Sequence, residues 1–131
     1  MNKNFLPLSC ALWILSISLS YAANWTAISI TDDYSIYYDE KSIRSVESDK
    51  NLKQVWQKVI YHKDIDNTQK NDYMLSLEYF NCKRGKRALN KLYVYSADKA
   101  LKYNFTQEKL IFEDIVPDSL SEIIFKSVCL K

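Results

Sequence analysis

The sequence contains very little glycine and histidine. Gly85 is the only glycine among the 131 residues, which excludes glycine-rich phosphate loops, dinucleotide-binding fingerprints and G-x-S-x-G nucleophile elbows. His62 is the only histidine, and no residue near it in the sequence completes a catalytic relay or a metal site. We therefore expect His62 to be exposed and without a special role, and we expect no nucleotide chemistry or typical hydrolase chemistry.

Neither sign of charge dominates the chain. Eighteen lysine and arginine residues against 16 aspartate and glutamate residues give a net charge of +2, which is too small for a dedicated nucleic-acid-binding protein. Apolar residues make up 47% and charged residues 26%, values that are ordinary for a globular domain and exclude a disordered tail or a coiled coil. The length predicts one domain with a single core.

The first 22 residues have the pattern of a signal peptide. A positively charged start precedes an apolar run over residues 5–19, and small side chains at Ser20 and Ala22 provide a cleavage site. Proline and serine residues interrupt the run, so an uncleaved membrane anchor, which needs about 20 apolar residues, is the weaker alternative. We predict a signal peptide over residues 1–22 and a single domain over residues 23–131, with no membrane span after cleavage.

The three cysteines are informative because one of them lies in the leader. Cys10 does not stand in a convincing lipoprotein signal, and its removal leaves Cys82 and Cys129, an even number for an oxidising compartment. We expect these two to form a disulfide. A catalytic or metal-binding thiol is the alternative, but the chain has no C-x-x-C motif. The pattern predicts an exported protein, in the periplasm or at the outer cell surface.

Alternating apolar and polar residues dominate from Trp25 to about Tyr103. This period of two is typical of antiparallel β-strands. A turn is expected at residues 49–51, a short helical turn at residues 39–42 and a solvated loop at residues 62–71. Because one glycine is available, most turns must use Asn and Asp for left-handed backbone conformations. The predicted strands, about six, cover residues 26–30, 35–38, 53–61, 73–82, 86–96 and 101–104.

The period changes near the C-terminus. Ser119 is a candidate N-cap with Glu122 three residues later, the spacing of a capping box. The apolar residues that follow form one stripe that would lie on a face of the sheet, and Cys129 ends the helix where it can reach Cys82. The fold class is therefore α+β, an antiparallel sheet with one C-terminal helix. The stripe consists of Leu120, Ile123, Ile124 and Val128.

Adjacent carboxylates are the main candidates for acid–base chemistry. The pairs are Asp32-Asp33, Asp39-Glu40 and Glu113-Asp114, and neighbours in a strand point to opposite faces and so do not converge on one bond. Roles in turns and caps fit these pairs better. We predict no catalytic residue, no metal site, no cofactor and no enzymatic activity.

Four positive charges fall within five residues, at Lys83, Arg84, Lys86 and Arg87. Such a cluster could meet an acidic polysaccharide or an acidic protein face, and the alternative is a solvated hairpin tip. We take these four residues as the candidate partner-binding patch. On the assumption that they are solvated, charge reversal at Arg84 and Arg87 should slow association and leave the melting temperature nearly unchanged.

Ten tyrosines are present, and they could form a recognition surface because tyrosine offers contact area at low entropic cost. In a sheet with two apolar faces they could equally serve packing. The alternation alone does not separate these interpretations. The tyrosines concerned include Tyr34, Tyr37, Tyr38, Tyr93, Tyr95 and Tyr103.

Several motifs together resemble the surface-adhesin protein E family of Gram-negative bacteria. The most specific are the helix start, Pro-x-Ser-x-x-Glu from Pro117 to Glu122, and the spacing of the two cysteines. In the turn near Asp98, where a glycine is expected, this chain has Lys99 or Ala100. The remaining features are Trp25, Tyr37-Tyr38-Asp39, Ser42-Ile43, Val55-Trp56, Tyr61, Tyr79, the stretch from Tyr93 to Asp98, and Ile115.

The resemblance covers nearly all of the mature chain and carries implications for fold and function. It implies a small antiparallel sheet with a packed helix and one disulfide. For the adhesin members it implies binding to host extracellular-matrix or plasma proteins at the bacterial surface, with a protein as partner and no nucleic acid. The sequence does not decide whether the protein forms a homodimer. The alternative is a periplasmic enzyme or an envelope structural protein with no adhesive role.

Overall fold

The computed structural model describes residues 22–130. The predicted signal peptide lies almost wholly outside these described residues. Within them the chain folds into one antiparallel sheet and a C-terminal helix, so the predicted α+β class is confirmed. The strands are β1 Trp25–Ile30, β2 Tyr34–Asp39, β3 Arg44–Val46, β4 Asp49–Tyr61, β5 Tyr73–Asn81, β6 Lys86–Tyr95, β7 Leu101–Thr106 and β8 Glu113–Asp114; a 3-10 helix spans Glu40–Ser42 and α1 spans Leu120–Cys129.

The sheet has a continuous path of six strands in the order β1-β2-β4-β5-β6-β7, and these correspond to the strands predicted from the alternation. Two further strands bring the sheet of the described region to eight. Strand β3 pairs with the first half of β4, and β8 pairs with the start of β6. Both are three residues long or shorter, and a run of that length shows no period in a sequence.

The turn predicted at residues 49–51 is wrong in its position. Those residues belong to β4, and the turn falls at residues 47–48, where β3 folds back to pair Val46 with Asp49. The side chain of Asp49 accepts a hydrogen bond from the backbone of Asn51 at 2.9 Å. Asp and Asn commonly make such local bonds in turns, which explains the misplaced prediction.

Strand β4 carries apolar residues on both faces of the sheet, and helix α1 covers one of these faces. Val55 and Val59 point to the face on which α1 lies, while Trp56 and Lys58 point to the opposite one. The core forms between the sheet and the helix, and Ile124 and Val128 of the predicted stripe are buried in it. Ile123 is 47% exposed, so the prediction that it belongs to the buried stripe is wrong. The buried members of the core are Tyr38, Val55, Phe80, Ile124 and Val128.

Helix α1 begins and ends as the sequence predicts. The Ser119 hydroxyl oxygen accepts a hydrogen bond from the backbone N–H of Glu122 at 3.3 Å. The Glu122 carboxylate reaches back one residue further than in a standard capping box, to the N–H of Asp118 at 2.8 Å. At the other end Cys129 forms the expected disulfide with Cys82, with the Cα atoms 5.4 Å apart, which ties the helix to the end of β5.

Most turns in the described region use Asp or Asn where the backbone is left-handed, as predicted. Asp66, Asn71 and Asp118 have φ angles of 49°, 69° and 59°. Gly85 lies at φ 62° in the connection between β5 and β6. Lys99 is the exception, with φ 68°, and it stands in the turn where the resemblance leads one to expect glycine.

Candidate functional site

The sequence-predicted basic patch lies in the connection between β5 and β6. The turn is fixed by Asn81, whose side-chain oxygen accepts from the Arg84 N–H at 3.0 Å and whose carbonyl accepts from the Gly85 N–H at 2.9 Å. Lys83 and Arg84 are exposed at the tip. We call Lys83, Arg84, Lys86 and Arg87 the basic hairpin.

The four charges of the basic hairpin are not equivalent. Lys86 forms an ion pair with Asp114 at 2.9 Å, and Arg87 contacts both Glu113 at 3.7 Å and Glu78 at 3.3 Å. The structure therefore separates an exposed pair, Lys83 and Arg84, from a pair that is held by acidic side chains. No local sequence signal reveals this, because Asp114 and Glu113 of β8 lie 28 and 26 positions along the chain from Lys86 and Arg87.

A cavity of about 410 Å³ opens beside the exposed pair. The backbone N–H of Cys82 donates to the carbonyl of Asn51 at 2.8 Å, and the disulfide holds the same residue from the other side. The turn that carries the two cations therefore begins next to a residue that is held both by a backbone hydrogen bond and by the disulfide. The cavity is lined by Asp49, Asn51, Asn81, Lys83 and Arg84.

A second cavity, of about 290 Å³, contains the arrangement that the enzyme alternative requires, two carboxylates from separate strands. Glu78 of β5 and Glu113 of β8 share one guanidinium, that of Arg87. Burial raises the pKa of the Glu78 carboxyl, while the nearby charge of Arg87 opposes the rise. Because both carboxylates are paired to the same cation, the cluster has the form of a structural ion-pair network.

His62 is half-buried rather than exposed, which corrects the expectation from the sequence. Its Nε2 lies 2.6 Å from the hydroxyl oxygen of Ser35. Ser35 is only 2% exposed, so this hydroxyl is closed to a substrate in the described fold. Within residues 22–130, no group of three or more His, Cys, Asp and Glu side chains is placed to hold a metal ion.

The tyrosines named from the sequence divide between the two faces of the sheet. By register, Tyr34, Tyr38 and Tyr103 share the face of α1. The other three, Tyr37, Tyr93 and Tyr95, lie on the opposite face. The alternation could show that two faces exist, but only the strand register shows which rings meet.

The opposite face carries a continuous set of aromatic rings around one lysine. The Nζ atom of Lys58 lies 5.5 Å from the ring centroid of Trp25 and 5.4 Å from that of Tyr73, within the range of cation–π attraction. Tyr73 stacks on Tyr95 at 5.1 Å. We call this set the open aromatic face; its members are Trp25, Trp56, Lys58, Tyr73, Tyr93 and Tyr95, and all six are half-buried.

These features define a small antiparallel β-domain with a disulfide-tethered helix, an exposed basic turn and an aromatic sheet face. Residues 25–130 match the family model of surface-adhesin protein E, and the chain belongs to that family. Comparison with curated proteins and with solved structures gave no match. Among the described residues, no helix has the length and apolar character needed to cross a membrane.

Proposed function

We propose that this protein is an exported, non-enzymatic binding protein of the cell envelope that attaches to host extracellular-matrix or plasma proteins. The observation that carries the proposal is the family match over residues 25–130, which supports an adhesin-like role. The Cys82–Cys129 disulfide is consistent with export, because such bonds persist in oxidising compartments.

The proposal includes removal of a signal peptide over residues 1–22, which leaves the domain over residues 23–131. The mature protein then resides in the periplasm or at the outer surface. Protease treatment of intact cells separates the two locations, since only a surface protein is digested while a periplasmic marker survives. Intact mass of the exported protein tests the cleavage, and a species that retains Met1 would contradict it.

The basic hairpin is our proposed contact for an acidic face of a host protein. Lys83 and Arg84 would make the contact, because they are exposed and make no ion pair within the described residues. Lys86 and Arg87 would hold the turn through their acidic partners. Rigid mounting favours binding because less conformational entropy is lost on association.

The second candidate function, an envelope enzyme, is supported by the Glu78 and Glu113 cavity alone. A reaction at this site would need one of the carboxylates to be free of Arg87. The Arg87 pairing therefore favours binding over catalysis as the proposed role.

The binding experiment uses the oxidised mature protein and immobilised matrix and plasma proteins. A Lys83→Glu, Arg84→Glu double variant should lose association rate, and a Lys109→Glu variant, which changes an exposed lysine in the segment after β7, should not. If wild-type protein binds none of the immobilised proteins, the adhesive role is refuted. If it binds them and both variants match it, the role stands and the basic hairpin is not the contact.

A further inference from the structure

The open aromatic face forms one connected row across the sheet. Trp56 contacts Tyr93 with ring centroids 6.2 Å apart, and Tyr93 contacts Tyr95 at 6.5 Å. The row runs on through Tyr73 and Lys58 to Trp25. It extends from β1 to β6, four inter-strand steps or about 19 Å, which is long enough for an oligosaccharide rather than for a single sugar.

These side chains lie outside the buried cluster that packs against helix α1, although they surround the buried Leu77 on their own face. Helix α1 and the buried cluster lie on the other face, and the side chains of the open aromatic face keep part of their surface in solvent. Single exposed apolar side chains are normal, but contiguous apolar patches are uncommon on a surface without a partner. A connected set of five rings and one lysine therefore indicates a face that something covers.

The charge of this face is positive. Lys58 and Lys91 point to it by register, Lys91 pairing with Leu77 across β5 and β6. Neither lysine forms an ion pair with a described residue. Their Cα atoms lie about 12 Å apart, two inter-strand steps across and two residues along the strands. An occupant that carries a negative charge at intervals would complement them.

A chain of sugars that alternates an acidic and a neutral residue has these properties. The polarised C–H groups of a sugar ring stack against the negative face of an aromatic ring, as cations do. A uronic acid at every second position supplies widely spaced carboxylates for the two lysines. Single-stranded nucleic acid also stacks on aromatic rings, but it carries a phosphate at every nucleotide and needs a continuous track of cations. The cations on this face are separated instead, since Lys58 and Lys91 lie among the rings and Arg44 lies at the β3 edge.

We infer that the open aromatic face binds an acidic polysaccharide of the animal extracellular matrix built from alternating uronic acid and neutral amino sugar. The rings stack on the sugars, and Lys58 and Lys91 pair with their carboxylates. This binding surface is separate from the basic hairpin and does not depend on it. The inference shares with the proposed function only the expectation that the protein meets host matrix.

Tryptophan fluorescence of the mature chain can detect binding to this face directly. Trp25 and Trp56 are the tryptophans of residues 23–131, since Trp13 lies in the leader, and both belong to the open aromatic face. Titration with hyaluronan oligosaccharides, which have the proposed repeat, should change the tryptophan emission of purified protein. Neutral chitin oligosaccharides should bind at least tenfold more weakly. Added salt should weaken the hyaluronan complex as screening increases.

Three variants locate the binding on the face. Tyr93→Ala and Trp56→Ala should each weaken hyaluronan binding about tenfold, a loss typical of one stacked ring. Lys58→Met keeps the aliphatic stem between Trp25 and Tyr73 and removes the charge, so it should weaken binding several-fold and reduce its salt dependence. Calorimetry gives the affinities where a tryptophan is replaced, and thermal unfolding verifies that each variant is folded.

The matched control is Tyr103→Ala. Tyr103 is the same residue type in the same sheet, but it is 55% exposed on the other face, so its loss should leave the affinity unchanged. Lys83→Glu with Arg84→Glu should also leave hyaluronan binding intact. Loss of host-protein binding in that variant, with hyaluronan binding retained, therefore separates this inference from the proposed function.

Four results would overturn the inference. The first is wild-type protein that shows no hyaluronan binding, and the second is binding that the Trp56, Tyr93 and Lys58 variants leave unchanged. The third is tighter binding of single-stranded DNA through the same side chains. The fourth is a stable dimer that Trp56→Ala or Tyr93→Ala converts to a monomer, because the face would then be covered by a second copy.

Discussion

At the residue scale, the backbone of Lys99 makes a clear prediction. It lies at φ 68° in the turn between β6 and β7, where its N–H donates to the Ser96 carbonyl at 2.9 Å. A left-handed conformation costs a residue with a Cβ atom roughly 1 kcal/mol, and glycine avoids this cost. Lys99→Gly should therefore stabilise the protein by about 1 kcal/mol in urea unfolding. Lys99→Ala keeps the Cβ atom and should give no gain; equal stabilities for the two variants would contradict the argument.

Glu78 makes a second residue-scale prediction, on pH. Its pKa is raised chiefly by burial, so the folded protein holds this proton at a pH where the unfolded chain, with a pKa of about 4.3, has lost it. The contribution of Glu78 to stability is then present at low pH and is lost as pH rises through the folded-state pKa. Glu78→Gln should be more stable than wild type at pH 7.5, and the difference should vanish near pH 4.

The control for this pH prediction is Glu113→Gln. Glu113 pairs with the same Arg87, but its side chain is 69% exposed, so its replacement should change the stability little. Thermal unfolding of both variants and of wild type across the pH range gives the comparison. A Glu78→Gln variant that is less stable than wild type at pH 7.5 would mean that the Arg87 contact outweighs the cost of burial.

At the scale of elements, the disulfide is the connection between the helix and the sheet that is simplest to remove. It closes a loop of 47 residues, for which chain entropy gives a stabilisation of about 4 kcal/mol. A Cys82→Ser, Cys129→Ser double variant should lose about that amount in urea unfolding. Reduced wild-type protein should match the variant. A loss under about 1 kcal/mol would show that packing of Ile124 and Val128 alone holds the helix.

The elements also show how far the sequence could predict the fold. Helix α1 was predictable because its signals are local, with Ser119 three residues before Glu122 and an apolar stripe behind them. The six strands of the main path were predictable from their alternation. Strands β3 and β8 were not, because short polar strands exist only through the strands they pair with.

The candidate sites were less predictable than the fold, and for a related reason. The sequence places Lys83 to Arg87 together, but the pairing of Arg87 with Glu78 and Glu113 depends on contacts across three strands. The open aromatic face likewise depends on register, which brings Trp25 and Tyr73 to the same lysine. Composition identified the residue types, and the topology decided which of them meet.

At the scale of the whole molecule, the net charge is only +2. Attraction of an acidic partner therefore depends on where the unpaired cations lie and not on the total charge. The basic hairpin and the open aromatic face present their free lysines and arginine at separate places, while Arg87 is engaged by a buried carboxylate. The expectation that charge reversal at Arg87 leaves the melting temperature unchanged assumed a solvated side chain, and the structure corrects that assumption. Arg84, in the turn, and Arg87, in β6, thus form a matched pair of the same residue type in one hairpin.

The last prediction compares these two arginines. Arg84→Glu should leave the melting temperature nearly unchanged and slow association with an acidic partner, because an exposed charge steers encounter but adds little stability. Arg87→Glu should cost about 2 kcal/mol or more, since it leaves Glu78 buried beside a like charge. Thermal unfolding and association rates at low and high salt measure both effects. Equal melting temperatures for the two variants would show that the Glu78 pair does not contribute to the fold, and an Arg84→Glu variant with unchanged rates would remove the basic hairpin from the proposed binding surface.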